Sequence, residues 1–260
     1  MRYIDINTDT GESFGRWRLG DDESLLAWVS SANVACGMHA GDPLVMDSTV
    51  AACEKHGVSV GAHPGYPDLQ GFGRREIRMT PAEIEAYVLY QIGALKAFLA
   101  ARQMTMTHVK AHGSLYNMAC VDQEIALAVA RGAAKASKDG RPLVLVGLPG
   151  SSLIWAGEKL GLPVAREGFC DRAYQDDGNL VPRNKPGSVV ADLNEIAARA
   201  VRMVRDGRVT SETGRLLELD VETVCIHSDT PGAPAMARTV REALTRAGVE
   251  IKTIDRVLGI

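Results

Sequence analysis

The residues with the clearest means to do chemistry in this 260-residue chain are its histidines and the acids and lysine grouped with them. His39 ends the apolar stretch NVACGMH and is followed at once by Ala-Gly-Asp-Pro. Asp42 reads there as an N-cap and Pro43 as a first-turn residue, so His39 stands between a strand end and a helix start. His63 closes SVGAH, Lys110 and His112 close HVKAH, and His227 follows TVCI with Asp229 just beyond. Asp9, with Asn7 before it and Glu12 after it, closes the first strand-like run. Imidazoles, carboxylates and a lysine in this company can hold and move protons or stabilise an oxyanion.

Side chains alternate across a strand, so each run can be sorted into two faces. In the first run Ile4 and Ile6 oppose Asp5, Asn7 and Asp9; in the second Val34, Cys36 and Met38 oppose Asn33, Ala35, Gly37 and His39. Val58, Val60 and Ala62 oppose Ser59, Gly61 and His63; Val109 and Ala111 oppose His108, Lys110 and His112; Val224 and Ile226 oppose Cys225 and His227. Each strand thus has an apolar face for covering helices and a second face that ends in a titratable group. A parallel sheet covered on both sides would read as continuously apolar strands. The pattern instead predicts a β/α barrel whose lumen holds the polar column, with Asp9, His39, His63, His112 and His227 at its C-terminal mouth.

The elements that must position these groups follow from periodicity. Strands are expected at 3–9, 32–38, 58–62, 106–111, 142–147, 163–167 and 222–227, and helices at 21–29, 43–56, 81–102, 122–137, 150–160, 192–206 and 233–247. That alternation gives seven β/α units in one domain spanning 1–260, since no Pro-, Gly- or Ser-rich linker divides the chain. Asp42-Pro43 and Thr80-Pro81 with Glu83 mark helix starts, and Thr230-Pro231 comes shortly before an alanine-rich helix. Residues 168–190 are the least regular and read as a long loop or small hairpin.

Composition narrows the function classes. With 46% hydrophobic and 23% charged residues and a formal net charge of −3, the chain reads as an ordinary globule with no basic stripe for a nucleic-acid partner. Five widely spaced cysteines without a C-x-x-C pair argue against a disulfide framework or a zinc knuckle and fit a reducing cytoplasm. The start, MRYIDINTDTGES, carries acids where a signal peptide needs an apolar run. No stretch is expected to reach the roughly 20 apolar residues of a membrane span. Cys36 should face the helices and Cys225 the lumen.

The stretches DINTDTGESFG (5–15), SANVACGMHAGDP (31–43), GAHPGYPDLQGFGRR (61–75), HVKAHGSLYN (108–117), DRAYQDDGNLVPR (171–183) and HSDTPGA (227–233) resemble, in order, the LamB/YcsF family. Thr10, Met38, Ala111, Ser114 and Ser228 depart from the family pattern, and none of these changes removes an ionisable group. The resemblance implies a seven-stranded barrel akin to sugar deacetylases. It also implies the activity of the A component of a prokaryotic 5-oxoprolinase, which opens 5-oxo-L-proline to L-glutamate with ATP hydrolysis in company with subunits B and C. On that reading Asp9 or Glu12 with His63 handles protons, Lys110 and His112 stabilise developing charge, and Asn7 and His39 position the substrate. Arg74 and Arg75 in GFGRR would clamp a carboxylate or phosphate, and Arg172, His227 and Asp229 would complete the binding groups.

No G-x-x-x-x-G-K-[ST] occurs, so ATP handling by this chain alone is not supported, and partner subunits are expected to phosphorylate. Two alternatives stay open. One is a self-sufficient metal-dependent amidase or deacetylase using Asp9, His63 and His112, although the sequence lacks H-E-x-x-H and no metal ligand set is assigned from it. The other is a lactam-binding subunit without catalytic groups.

Overall fold

Parallel pairing runs from β1 (Arg2–Thr10) through β2 (Ser31–Ala35), β3 (Ser59–His63), β4 (Met106–Lys110), β5 (Val144–Gly147) and β6 (Val164–Phe169) in the computed structural model, which describes residues 2–137 and 141–260. A short antiparallel hairpin, β7 (Arg208–Thr210) and β8 (Leu216–Glu218), lies outside this sheet. The next strand, β9 (Thr223–Ile226), pairs with β6 on one side and β1 on the other, so seven parallel strands close into a barrel. A last strand, β10 (Val249–Ile251), adds to the opening residues of β1.

Between the strands run α1 (Asp22–Leu26), α2 (Pro43–His56), α3 (Pro81–Ala101), α4 (Gly113–Val121), α5 (Gln123–Ala136), α6 (Ser152–Lys159), α7 (Leu193–Asp206), α8 (Ala233–Arg246) and α9 (Ile254–Leu258). The Asp42 carboxylate accepts from the N–H groups of Leu44 and Val45, and Thr80 and Glu83 form a reciprocal capping box. Each cap offsets amide groups that the first turn leaves without partners, worth about 1 kcal/mol. Thr230-Pro231 stands shortly before its helix, as expected. The first residue of α8 is Ala233, after Gly232 at φ 82°, and Pro234 supplies the first-turn proline. Helix α4, the hairpin, β10 and α9 are additions to the units expected from periodicity.

One helix departs from the expectation about membrane-length segments. By length and composition α3 could cross a bilayer. Its buried residues Ile84, Val88, Ile92, Leu95 and Leu99 recur every three or four positions, as on the inner face of a barrel-wall helix. Gly132 lets α5 approach it, since a β-carbon there would sit 2.7 Å from the Val88 side chain.

Strand register decides what the lumen contains. Asp9 is level with Asn33, Asn33 with Gly61, and Gly61 with His108. Further round, His108 is level with Val144, Lys110 with Val146, and Glu167 with Thr223. The His108 ring fits because Gly61 has no side chain: a β-carbon there would fall 2.2 Å from it. Ile254 of α9 packs with Val144, Val146 and Ala165 in a small apolar cluster of its own. The larger core lies between the outer face of the strands and the helices.

Candidate functional site

Low in the lumen lies a buried polar network. The Asp5 carboxylate accepts from the hydroxyls of Ser30 (2.7 Å), Ser31 (2.6 Å) and Thr223 (2.6 Å). The Asn7 amide donates to Thr223 and Glu167, while the Asn33 amide donates to Asn7 and Asp9 at 2.8 and 2.9 Å. His108 Nε2 donates to the Asn33 amide oxygen at 2.9 Å. Burial lowers the His108 pKa to about 3 and raises that of Asp5 to about 6. His108 is therefore a neutral part of the framework.

Lys110 joins this floor to the mouth. Its ammonium lies 2.7 Å from Glu167 and 3.1 Å from Asp9, and it donates to Cys225 Sγ at 3.1 Å. Desolvation alone would favour the neutral amine, but Asp9, Cys225 and Glu167 beside it outweigh this and hold the Lys110 pKa well above its ordinary value. Desolvation likewise opposes ionisation of Asp9, and His63 and Lys110 overcome it, so Asp9 stays a carboxylate. Glu12 has no lysine against it. Burial, then the charge of Asp9, pushes its pKa well up.

At the mouth three imidazoles pack face and edge. His39 stacks on His112 with centroids 3.6 Å apart and an interplanar angle of 3°, while His63 meets His112 edge-on at 88°. His63 Nδ1 donates to the Lys110 carbonyl and His112 Nε2 to the Phe72 carbonyl, both at 2.8 Å. Glu12 Oε1 lies 3.1 Å from His39 Nε2 and 3.3 Å from His112 Nδ1. Phe72 holds a left-handed φ of 54°, uncommon for an aromatic residue, in the turn that presents its carbonyl to His112. Burial pushes the pKa values of His39 and His112 well down, with further lowering by the neighbouring rings. Glu12, His39, His63 and His112 form one group whose donor atoms could hold a metal ion; Asp9, Cys225 and His227 form a second.

Above this group opens a cavity of about 710 Å³, lined by Asp9, Glu12, His63, Lys110 and His112 below and by Arg74, Arg172, Arg183 and Asp229 at the rim. Arg74 and Arg183 both pair with Asp229. Arg172 donates to the carbonyls of Ser188 and Val181, which fastens the 168–190 loop to the rim. Burial first, then the charge of Arg183, lowers the Arg172 pKa to about 10. His227 lines the wall with its Nδ1 2.7 Å from Asp171.

The model described as the LamB/YcsF family matches residues 4–259. The chain belongs to the LamB/YcsF family. It is 50% identical over 256 residues to the 5-oxoprolinase A subunit of Chloroflexus aurantiacus, covering 98% of this chain and 100% of that one. It is 48% identical over 248 residues to the Pyrococcus furiosus protein of the same name, covering 95% and 96%. The crystal structure of a lactam utilization protein from Thermus thermophilus matches with a TM-score of 0.90 at 49% identity, covering 97% of this chain and 100% of that one.

In this LamB/YcsF chain several expected site residues take other places. Arg75 does not reach the cavity: its side chain is 64% exposed and turns back to Asp68, which also binds the start of the GFGRR turn. Asn7 and His39 do not line the cavity. Asn7 lies beneath Lys110 and orients it with Glu167, and His39 stands behind His112. Arg172 does reach the cavity, while the Asp171 beside it binds His227. Glu167 is a site acid that the sequence reading leaves unassigned, although alternation along VAREGF places it on the lumen face between Ala165 and Phe169. Arg183, Tyr116 and Phe72 come from loops and a helix start, where periodicity carries no face information.

Proposed function

We propose that this protein is the A subunit of an ATP-dependent 5-oxoprolinase, opening 5-oxo-L-proline to L-glutamate while ATP becomes ADP and phosphate. The observation that carries the proposal is the convergence of Asp9, Glu12, His63, Lys110 and His112 on one cavity, in a family whose relatives bear that name. Partner subunits, expected to be B and C, supply the nucleotide chemistry. This chain supplies the site where the lactam opens.

A five-membered lactam resists hydrolysis because its amide is resonance-stabilised, and phosphorylation of the amide oxygen removes that stabilisation. ATP, the lactam and two waters then balance to ADP, phosphate and glutamate. One water adds to the lactam carbon, the C–N bond breaks as nitrogen takes a proton, and the other water releases phosphate from the acyl phosphate. Arg74, Arg172 and Arg183 at the rim suit the substrate carboxylate or the phosphoryl group. Lys110, cationic and buried, suits the oxyanion. Asp9, ionised beside His63, suits removal of a proton from water, and Glu12 suits its return to nitrogen.

The test is reconstitution with the partner subunits, ATP and 5-oxoproline, following glutamate release as each component is left out. Full activity should require this chain, and the isolated chain should turn over neither ATP nor 5-oxoproline. Undiminished glutamate release without this chain, or brisk turnover by the chain alone, would refute the proposal. In the complex, His63→Gln should lower kcat, whereas a purely lactam-binding subunit would show a raised KM with kcat intact.

A further inference from the structure

The hydrogen bonds of His63 and His112 leave their contact electrostatically incomplete. A carbonyl oxygen only accepts, so the bonds to the Lys110 and Phe72 carbonyls place protons on His63 Nδ1 and His112 Nε2. An imidazole with one N–H presents a lone pair at its other nitrogen. These nitrogens, His63 Nε2 and His112 Nδ1, lie 3.0 Å apart, and Asp9 Oδ1 lies 3.4 Å from His63 Nε2, which adds a further anionic oxygen at the same point. Lone pairs at that distance repel unless a cation lies against both. Glu12 Oε1 adds a carboxyl oxygen 3.3 Å from His112 Nδ1, and a bound cation would hold that group ionised. All of these groups are buried.

We propose that His63 Nε2, His112 Nδ1 and the Glu12 carboxylate form a binding site for one divalent first-row transition-metal ion of the zinc type. Ring orientation rules out His39 and His112 as a ligand pair, and the 3.0 Å contact makes His112, and not His39, the partner of His63. An imidazole lone pair lies in the ring plane. The planes of His63 and His112 cross at 88°, so both can aim at one point, whereas His39 and His112 are parallel at 3° and cannot. His39 is therefore a positioning residue that holds Glu12 through its Nε2 at 3.1 Å.

The surroundings repeat the logic. Ligating histidines donate their other N–H to a fixed acceptor, which sets the tautomer and ring angle. Here both do so, to main-chain carbonyls, one of them on the left-handed Phe72. Two nitrogens and one carboxylate favour zinc-like ions over magnesium or calcium, which prefer all-oxygen sites. A proton shared by the two rings would also relieve the repulsion, but it bridges two acceptors only and makes no use of a third donor. An ion there would supply a Lewis acid beside Asp9 and Lys110.

The test reads metal binding, which does not depend on which reaction the protein catalyses. Full-length chain stripped with a chelator and titrated with Zn²⁺ in a calorimeter should take up one equivalent saturably. Loaded with Co²⁺, it should show the ligand-field absorption of a nitrogen-bound, low-coordinate ion. His63→Gln, His112→Gln and Glu12→Gln should each weaken binding at least about tenfold. His56→Gln, at the end of α2 beside Glu23, should leave it unchanged. Absence of saturable one-to-one binding, an aquo-ion Co²⁺ spectrum, or binding lost only in His56→Gln would each overturn the proposal. If a variant misfolds, the Co²⁺ spectrum of the unaltered chain still decides. A failed 5-oxoproline assay leaves the metal result standing, and the converse also holds.

Discussion

His108 and His112 share one face of one chain segment, yet their surroundings differ in kind. His108 sits on the lumen floor with both ring nitrogens engaged by side chains, Nε2 with Asn33 and Nδ1 with the Thr107 hydroxyl. The floor is a set of donors matched to acceptors, with Asp5 alone accepting from three hydroxyls and Glu167 Oε2 the one exception in that network among the described residues. The mouth is not matched. His112 Nδ1 faces another acceptor nitrogen, and His39 Nδ1 and the Tyr116 hydroxyl have no partner among the described residues. A buried polar group without a partner costs about 1–3 kcal/mol, so a fold retains several together where a ligand completes them. Residue type does not distinguish the two histidines; the completeness of their partners does.

The most severe way to break this contrast is to remove the residue that spans both regions. Lys110→Met would leave Asp9 and Glu167 buried without their cation, and should abolish activity and cost about 3–5 kcal/mol on a denaturant curve. Retained stability would show that floor and mouth are electrostatically independent.

Next comes the histidine exchange. His63→Gln should lower kcat of the reconstituted enzyme by about 10²–10⁴ with little loss of stability. His108→Leu should do the reverse, costing about 1–3 kcal/mol by orphaning the Asn33 oxygen while kcat holds nearly steady. Equal kinetic damage from both would erase the distinction.

A smaller effect sharpens the account of the floor. Folding raises the Asp5 pKa from the ordinary 3.8 to about 6, through burial that its three hydroxyl partners only partly offset. Between those values the folded chain binds more protons than the unfolded one, so this group's contribution to stability falls as pH rises through the window. Thermal unfolding of the wild type and Asp5→Asn across pH 4 to 7 should show the gap between them shifting by up to about 3 kcal/mol in favour of the variant. A constant gap would mean that Asp5 is ionised in both states.

The smallest effect separates neighbouring arginines. Arg75→Ala should change KM little, because the side chain does not reach the cavity, and lower stability by about 1–2 kcal/mol, because the buried Asp68 carboxylate loses its cation but keeps its main-chain donors. Arg74→Ala removes a rim cation and should raise KM clearly more.

Much of this contrast is legible along the chain. Asp5, Asn7, Asp9, Asn33, His63, His108 and Lys110 fall on the lumen face that strict alternation assigns them, because a strand has only two faces and one must be apolar here. Glu167 is equally readable from its own strand. The arginines are not: Arg74 and Arg75 are adjacent in a turn, and only the path of that turn sends one to the cavity and the other to Asp68. The same limit hides the Phe72 carbonyl, whose role depends on a backbone angle with no periodic signature.

By itself the sequence determined the alternation of strands and helices, the polarity of the inner face and the family, since these rest on local patterning and on long ordered motifs. The tertiary structure alone decided how the barrel closes, which imidazoles cross and which lie parallel, and where each ring nitrogen finds its partner. Those outcomes depend on register between strands distant in sequence and on loop paths between them. Small differences in those paths turn a matched hydrogen bond into two facing lone pairs.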